Sequence, residues 1–176
     1  MEPAIQHRGA LQYLLDANVL IDANRDYYPL ARVPEFWAWL LRRGEEGRIK
    51  IPREAYEEIT PSKDDFARWM KDGDTKHSLL LDEEAAPSLV ARVVDEGYAP
   101  DLSDDEVEML GRDPFIIAYA LATPGMRCVV TTEASRPKRT RANRKIPDVC
   151  RDFGIPCCNT FELVRALDFR TGWRDE

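Results

Sequence analysis

The stretch YLLDANVLID, residues 13–22, decides how the chain is read. An apolar run, Tyr13, Leu14 and Leu15, leads into one carboxylate, Asp16, and more core-forming residues follow at once in Val19, Leu20 and Ile21. This is the pattern of a short buried strand that ends on a charge. Charge at such a point is unfavourable unless something pairs with it. The question is what the rest of the chain brings to Asp16.

The totals bound the answer. A length of 176 residues suits one compact domain, and a hydrophobic fraction of 44% is enough for a core. No apolar run approaches the ~20 residues of a membrane span. The opening MEPAIQHRGALQ is polar and lacks an apolar core segment, so no secretory signal is expected, and the cytoplasm is the expected compartment. The net charge of −7 argues against indiscriminate coating of DNA. The charge is polarised, however: Asp82 to Glu108 is acidic and RPKRTRANRK, Arg136 to Lys145, is densely basic. The four cysteines, Cys128, Cys150, Cys157 and Cys158, form no C-x-x-C pair, and the two histidines, His7 and His77, are far from them in sequence. A zinc site is not expected, and the thiols read as reduced and mostly buried.

Outward from the opening strand, strands alternate with helices. Val33, Phe36, Trp37, Leu40 and Leu41 recur at helical spacing, predicting a helix over 34–43 that stops near Gly44. Arg48–Ile51 reads as a second strand, with Pro52 opening a helix that carries REAYEEI. Ser62 with Asp65 predicts a capped helix through Trp69, and a helix with an acidic surface is expected over 83–97. Ser103 and Glu106 predict a capping box, and Asp113 before Pro114 predicts a cap for the all-apolar helix FIIAYALA. MRCVVTT reads as a third strand. IPDVCRDFG then suggests a helix, IPCCN a short strand, and Asn159 or Thr160 caps a final helix. This alternation predicts an α/β fold with a parallel sheet, without repeats or linkers.

Four acids stand at the ends of these elements. Asp16 closes the first strand, Glu58 lies on the helix after the second with Glu57 beside it, Asp113 opens the buried helix, and Glu133 follows the third strand. In parallel α/β sheets the carboxyl ends of the strands converge on the ligand crevice. Acids gathered there repel one another, and a hard divalent cation such as Mg²⁺ or Mn²⁺ relieves the conflict. Hydrolysis of a phosphodiester is the chemistry that follows, with the metal activating water and a second ion, where present, stabilising the leaving oxygen.

The chain resembles the PIN-domain family, of the kind found as VapC-like toxins of toxin–antitoxin pairs. LLDANVLID, IPREAYEEI, RDPFIIAYALA and VVTTEAS carry the resemblance in the family's order. The run NRKIPDVCRDFGIPCCNTFELV is further similar to a PIN subfamily classed as a domain of unknown function. The resemblance implies an α/β fold: a single three-layer domain over residues 11–170, with a central parallel sheet of four or five strands flanked by helices. Residues 1–10 and 171–176 are then tails. It implies a metal-dependent endoribonuclease, with Asp16, Glu58, Asp113 and Glu133 as the acids that hold one or two Mg²⁺ or Mn²⁺ ions, and Asn18 and Thr131 as polar supports. It favours Glu58 over Glu57, because Glu58 directly precedes Ile59. Family members often carry Asp or Asn where this chain has the longer Glu133. An antitoxin partner and a homodimer are implied as well.

Plainer readings stand beside these. Asp16 and Asp113 suit helix caps, Glu58 suits a solvated helix face, and Asp22 a surface position. Arg136, Lys138, Arg139, Arg141, Arg144 and Lys145 would neutralise RNA phosphates, or dock an acidic antitoxin segment, or form a flexible solvated loop. Trp37 fits the core stripe. Trp39 on the other side and Trp69 would line a groove for a partner or pack in the core. The acidic run 82–108 reads as a solvated face. The competing functions are a PIN fold that has lost catalysis and serves as a binding module, and a haloacid-dehalogenase-like phosphatase. The latter wants an aspartate where this chain has Asn18.

Overall fold

The computed structural model describes residues 10–172. The expected tails at 1–10 and 171–176 therefore lie almost wholly outside the described residues, as does His7. Four strands form one parallel sheet: β1 (Gln12–Leu15), β2 (Ile49–Lys50), β3 (Arg127–Val130) and β4 (Cys157–Cys158), in the order β2-β1-β3-β4. Leu15 pairs with Val130 and Val130 with Cys158, so these strands finish level with one another. A bridge from Ile51 to Leu80 prolongs the β2 edge.

Side chains alternate across a strand, and β1 uses both faces. Tyr13 and Leu15 join one core with Phe36, Trp37, Trp39, Leu40 and Leu163. Leu14 joins the opposite core with Val129, Ile116, Ile117 and Val149. A parallel sheet covered on both faces needs such apolar strands. The first core is roofed by α1 (Ala17–Asp22), α2 (Pro34–Glu45), α3 (Arg53–Ile59), α4 (Asp65–Lys71), α5 (Gly73–Leu79) and α10 (Thr160–Ala166). The second lies under α6 (Pro87–Arg92), α7 (Asp104–Leu110), α8 (Asp113–Leu121) and α9 (Ile146–Asp152). The result is the expected single three-layer α/β domain. Wider π-type turns continue α1 over Ala23–Tyr27 and α6 over Val93–Tyr98. Among the described residues no helix is long and apolar enough to cross a membrane.

Several local expectations are corrected. Helix α2 ends at Glu45, beside the expected stop near Gly44. Gly44 is there for closeness: a Cβ would stand 2.7 Å from the Ser78 carbonyl oxygen and from Leu79 Cδ2, so α5 packs directly on its backbone. Ser62 does not cap α4. Asp64 does, accepting from the Ala67 N–H at 2.7 Å, while the Ser62 hydroxyl donates to Asp64. The helix expected over 83–97 begins only at Pro87, because Pro enters naturally at a helix's first turn and the preceding residues run extended. Asp113 lies one position inside α8 and Arg112 takes the cap position. The capping box Ser103–Glu106 forms as the sequence predicts, and of the two caps expected for the final helix it is Asn159 that caps α10, in a box with Glu162.

Among the described residues Trp39 and Trp69 form no exposed groove. Trp37 and Trp39 are 1% and 0% exposed, because α2 is enclosed on both flanks. Trp69 packs edge-on against Trp37. The acidic run is only partly a solvated face. Glu83 pairs with the buried Arg127, while Asp101 and Glu106 pair with Arg141. Cys128 and Cys150 are buried, and Cys157 and Cys158 are partly so.

Candidate active site

The site is built at the carboxyl edge of the sheet. The Asp16 N–H bonds the Val130 carbonyl at 3.0 Å, the last rung between β1 and β3. Beyond that rung both strands end and their chains leave the sheet at the same edge. Asp16 stands at the N-cap position of α1 with extended backbone (φ −66°, ψ 150°), yet its side chain makes no cap bond. It takes a hydrogen bond from the Thr131 hydroxyl at 3.3 Å instead. Thr131 is 1% exposed, and its oxygen in turn accepts the Glu133 N–H at 3.1 Å. One buried hydroxyl thus ties the end of β1 to the turn after β3.

The four expected acids come from four parts of the chain and share one field. Burial, then Glu58, push the Asp16 carboxyl up to about 6, against the pull of Thr131. Burial pushes Asp113 up to about 7, reinforced by Glu133, Asp16 and Glu58 and opposed by Lys145. Glu58 is also raised by burial, and Arg112 holds it back. These are carboxylates too crowded to ionise freely. Glu58 rather than Glu57 belongs to the group: Glu57 turns to Arg112 at 2.8 Å, whereas Glu58 sits 3.8 Å from the same guanidinium and faces Asp16 and Asp113 electrostatically. Asn18 does not join the group. It is exposed on α1 and carries no bond to these acids among the described residues.

Glu133 is engaged elsewhere. Its two oxygens accept from Lys145 Nζ at 2.7 Å and from the Ile146 N–H at 2.8 Å, at the start of α9. Partly for this reason, no three acid, histidine or cysteine side chains among the described residues converge tightly enough to grip one ion as they stand. The donor set nonetheless fits a hard cation in kind: carboxylate oxygens, crowded, with Arg112 and Lys145 as the cations beside them.

The basic segment is neither a free loop nor a uniform patch. The buried Asp148 accepts from the Ser135 hydroxyl, from the Arg136 N–H at 2.7 Å and from Arg151 at 3.0 Å, anchoring the start of the segment. Arg141 grips Glu106 and Asp101 at 2.7 and 2.8 Å, anchoring its middle on α7. Arg144 bonds Asp152 at 2.6 Å and the Gly97 carbonyl. Arg141, Arg144 and Lys145 are therefore held by carboxylates. Arg136, Lys138 and Arg139 are exposed and have no carboxylate partner among the described residues. Arg136, Arg139, Asn143 and Lys145 line a cavity of about 520 Å³ together with Glu133 and the exposed Met109.

The profile of one family, described as a domain of unknown function (DUF4411), matches residues 13–171. The chain belongs to the DUF4411 family. The match takes in all four acids and the whole basic segment. No curated protein matches the chain.

Two residues that interact with these acids escape a reading of the sequence. Arg112 spans Glu57, Glu58 and the Glu54 carbonyl, which it meets at 3.0 Å. Its position beside Asp113 is the one local signal. Tyr98, at the end of the π turn, lies in the field of Asp113 and Glu133, and nothing in its sequence neighbourhood marks it.

Proposed function

We propose that this DUF4411 protein is a divalent-cation-dependent endoribonuclease of PIN type. The observation that carries the reading is the electrostatic coupling of Asp113 to Glu133, Asp16 and Glu58 at the carboxyl edge of a parallel sheet, where burial first and mutual repulsion second raise Asp16 to about 6 and Asp113 to about 7. A cation beside these carboxylates would relieve the repulsion that raises them.

Asp16 and Asp113 would hold Mg²⁺ or Mn²⁺, with Glu58 beside them, and with Glu133 if Lys145 lets it go. When bound, the ion supplies an activated water at neutral pH and stabilises charge on the leaving oxygen. Thr131 keeps Asp16 turned toward the crevice. Arg112 keeps Glu58 at the rim. Arg136, Lys138 and Arg139, on an anchored segment, would hold the phosphates of a single strand beside the acids. A toxin role, with an antitoxin partner and a homodimer, rests on the sequence resemblance alone.

A second reading has its own observation. Glu133 is already satisfied by Lys145 and the Ile146 N–H, which suits a PIN fold retained as a binding module. One experiment separates the two: RNA cleavage by purified protein in Mn²⁺, Mg²⁺ or EDTA, with Asp16→Asn alongside. Cleavage that needs metal and vanishes in the variant supports the nuclease. No cleavage of any RNA, with no Mn²⁺ binding by calorimetry, leaves the binding module.

A further inference from the structure

The cavity of about 520 Å³ on the basic segment holds more than cations. Beside Arg136 and Arg139 it is lined by Asn143, Ala142 and Met109. Phosphates need only the two arginines. An apolar wall and a neutral amide suit a nucleobase, which lies against the one and pairs its edge with the other. Met109 is 61% exposed. The Asn143 side chain has no hydrogen-bond partner among the described residues. A volume of this size is that of a small-molecule pocket.

The cavity is held in shape before any ligand arrives. Asp148 accepts the Arg136 N–H at 2.7 Å, at the start of the segment. Arg141 takes a left-handed backbone, with φ of 54°. A non-glycine residue stays there only where its surroundings hold it, and such residues gather at functional sites. Here Glu106 and Asp101 grip the guanidinium at 2.7 and 2.8 Å. The short turn Arg141–Asn143 is thereby tied to α7, the helix that carries Met109. The Asn143 N–H closes that turn on the Thr140 carbonyl at 3.1 Å. Asn143 and Met109 thus line one cavity from two elements fixed to each other, an order that binding need not impose.

We infer that this cavity is a nucleobase pocket for single-stranded RNA, with Met109 as its apolar wall, Asn143 as the specificity-determining residue that pairs with an adenine edge, and Arg136 and Arg139 on the flanking phosphates. An asparagine amide donates and accepts side by side, which matches N7 and the N6 amino group of adenine. Sequence-specific recognition of RNA works in this way on unstacked single-stranded bases. Glu133 lines the same cavity, so the base that is read lies beside the acids. The inference rests on the RNA reading of the basic segment and needs no bound cation.

The test is fluorescence anisotropy of short oligo(A), oligo(U) and oligo(C) RNAs with the full chain in EDTA, beside melting curves of each variant. Wild type is expected to favour oligo(A) by about tenfold. Asn143→Ala is expected to melt as wild type does, to lose that preference and to bind oligo(U) unchanged. Met109→Ala is expected to weaken all three RNAs without a melting change. Equal wild-type affinity for the three RNAs overturns the inference alone, and so does a preference for oligo(A) that survives in Asn143→Ala. Unchanged binding by Met109→Ala overturns the pocket wall and with it the pocket. Wild type that binds none of the RNAs overturns the RNA reading and this inference together.

Discussion

The Thr131 hydroxyl donates to Asp16 at 3.3 Å across the seam between β1 and β3, and this bond decides how the opening carboxylate is used. A strand-end aspartate ordinarily turns onto the helix that follows it. Here Asp16 gives α1 no side-chain cap bond and meets the Thr131 hydroxyl instead.

Thr131→Val keeps the buried shape and removes that donor. Because Thr131 opposes the upward shift of Asp16, the carboxyl should rise further. Mn²⁺ binding should weaken by about three- to tenfold, on the scale of one hydrogen bond to a charged group. Its pH midpoint should move upward. Calorimetric titrations from pH 5.5 to 8 read both, and a midpoint that stays put counts against the bond.

Stability without metal should fall as pH rises. Asp16 goes from an ordinary 3.8 to about 6 in the fold, and Asp113 from 3.8 to about 7. Between about pH 4 and 7 the folded state therefore keeps protons that the unfolded chain releases, which favours folding at the acid end of that window and is lost through it. Asp113→Asn should flatten the profile and raise the metal-free melting point at pH 7.5 by about 2–4 °C for each kcal/mol of repulsion removed. Conversely, Mn²⁺ should stabilise wild type more at pH 7.5 than at pH 5. Melting curves over this range would show a rising profile if the acids were not crowded.

The six cations of the basic segment should divide in their effects. Arg136→Ala and Arg139→Ala should leave melting unchanged, weaken RNA binding, and each lower the salt slope by about 0.7 for a single strand. Arg141→Ala should lower the melting point, since it frees Asp101 and Glu106 and unpins the segment. RNA titrations of Asp16→Asn at several salt concentrations, with parallel melts, distinguish these. Equal loss of RNA binding at all three positions without any melting change would mean that the anchoring role is wrong.

Gly44→Ala should destabilise the domain by about 1–3 kcal/mol, the range for overpacking. The added methyl meets backbone at 2.7 Å and not merely a side-chain tip. Urea unfolding measures it, and a neutral result would mean that α5 shifts freely against α2.

Much of the fold was legible because its causes are local. The apolar run Tyr13–Leu15, the Ser103–Glu106 capping box and the apolar FIIAYALA are stated within a few residues, and each forms as read. The four acids could be named for the same reason: each stands at the end of an element, where parallel α/β topology sends functional groups. What they do to one another is a different matter. Arg112 reaches Glu57 across 55 residues, and Arg141 reaches Glu106 across 35. Lys145 takes a carboxylate that its place at a strand end and the family resemblance had offered to a metal. Trp39 is buried because helices close over both sides of α2, and Gly44 is required because α5 arrives there. Backbone propensity, caps and periodicity act within one or two turns, so sequence alone determined most of the elements, though not α1 or α5, and which acids end them. Charge pairing, desolvation and close packing act through space, so only the tertiary structure decided which of those charges are free and which are already held.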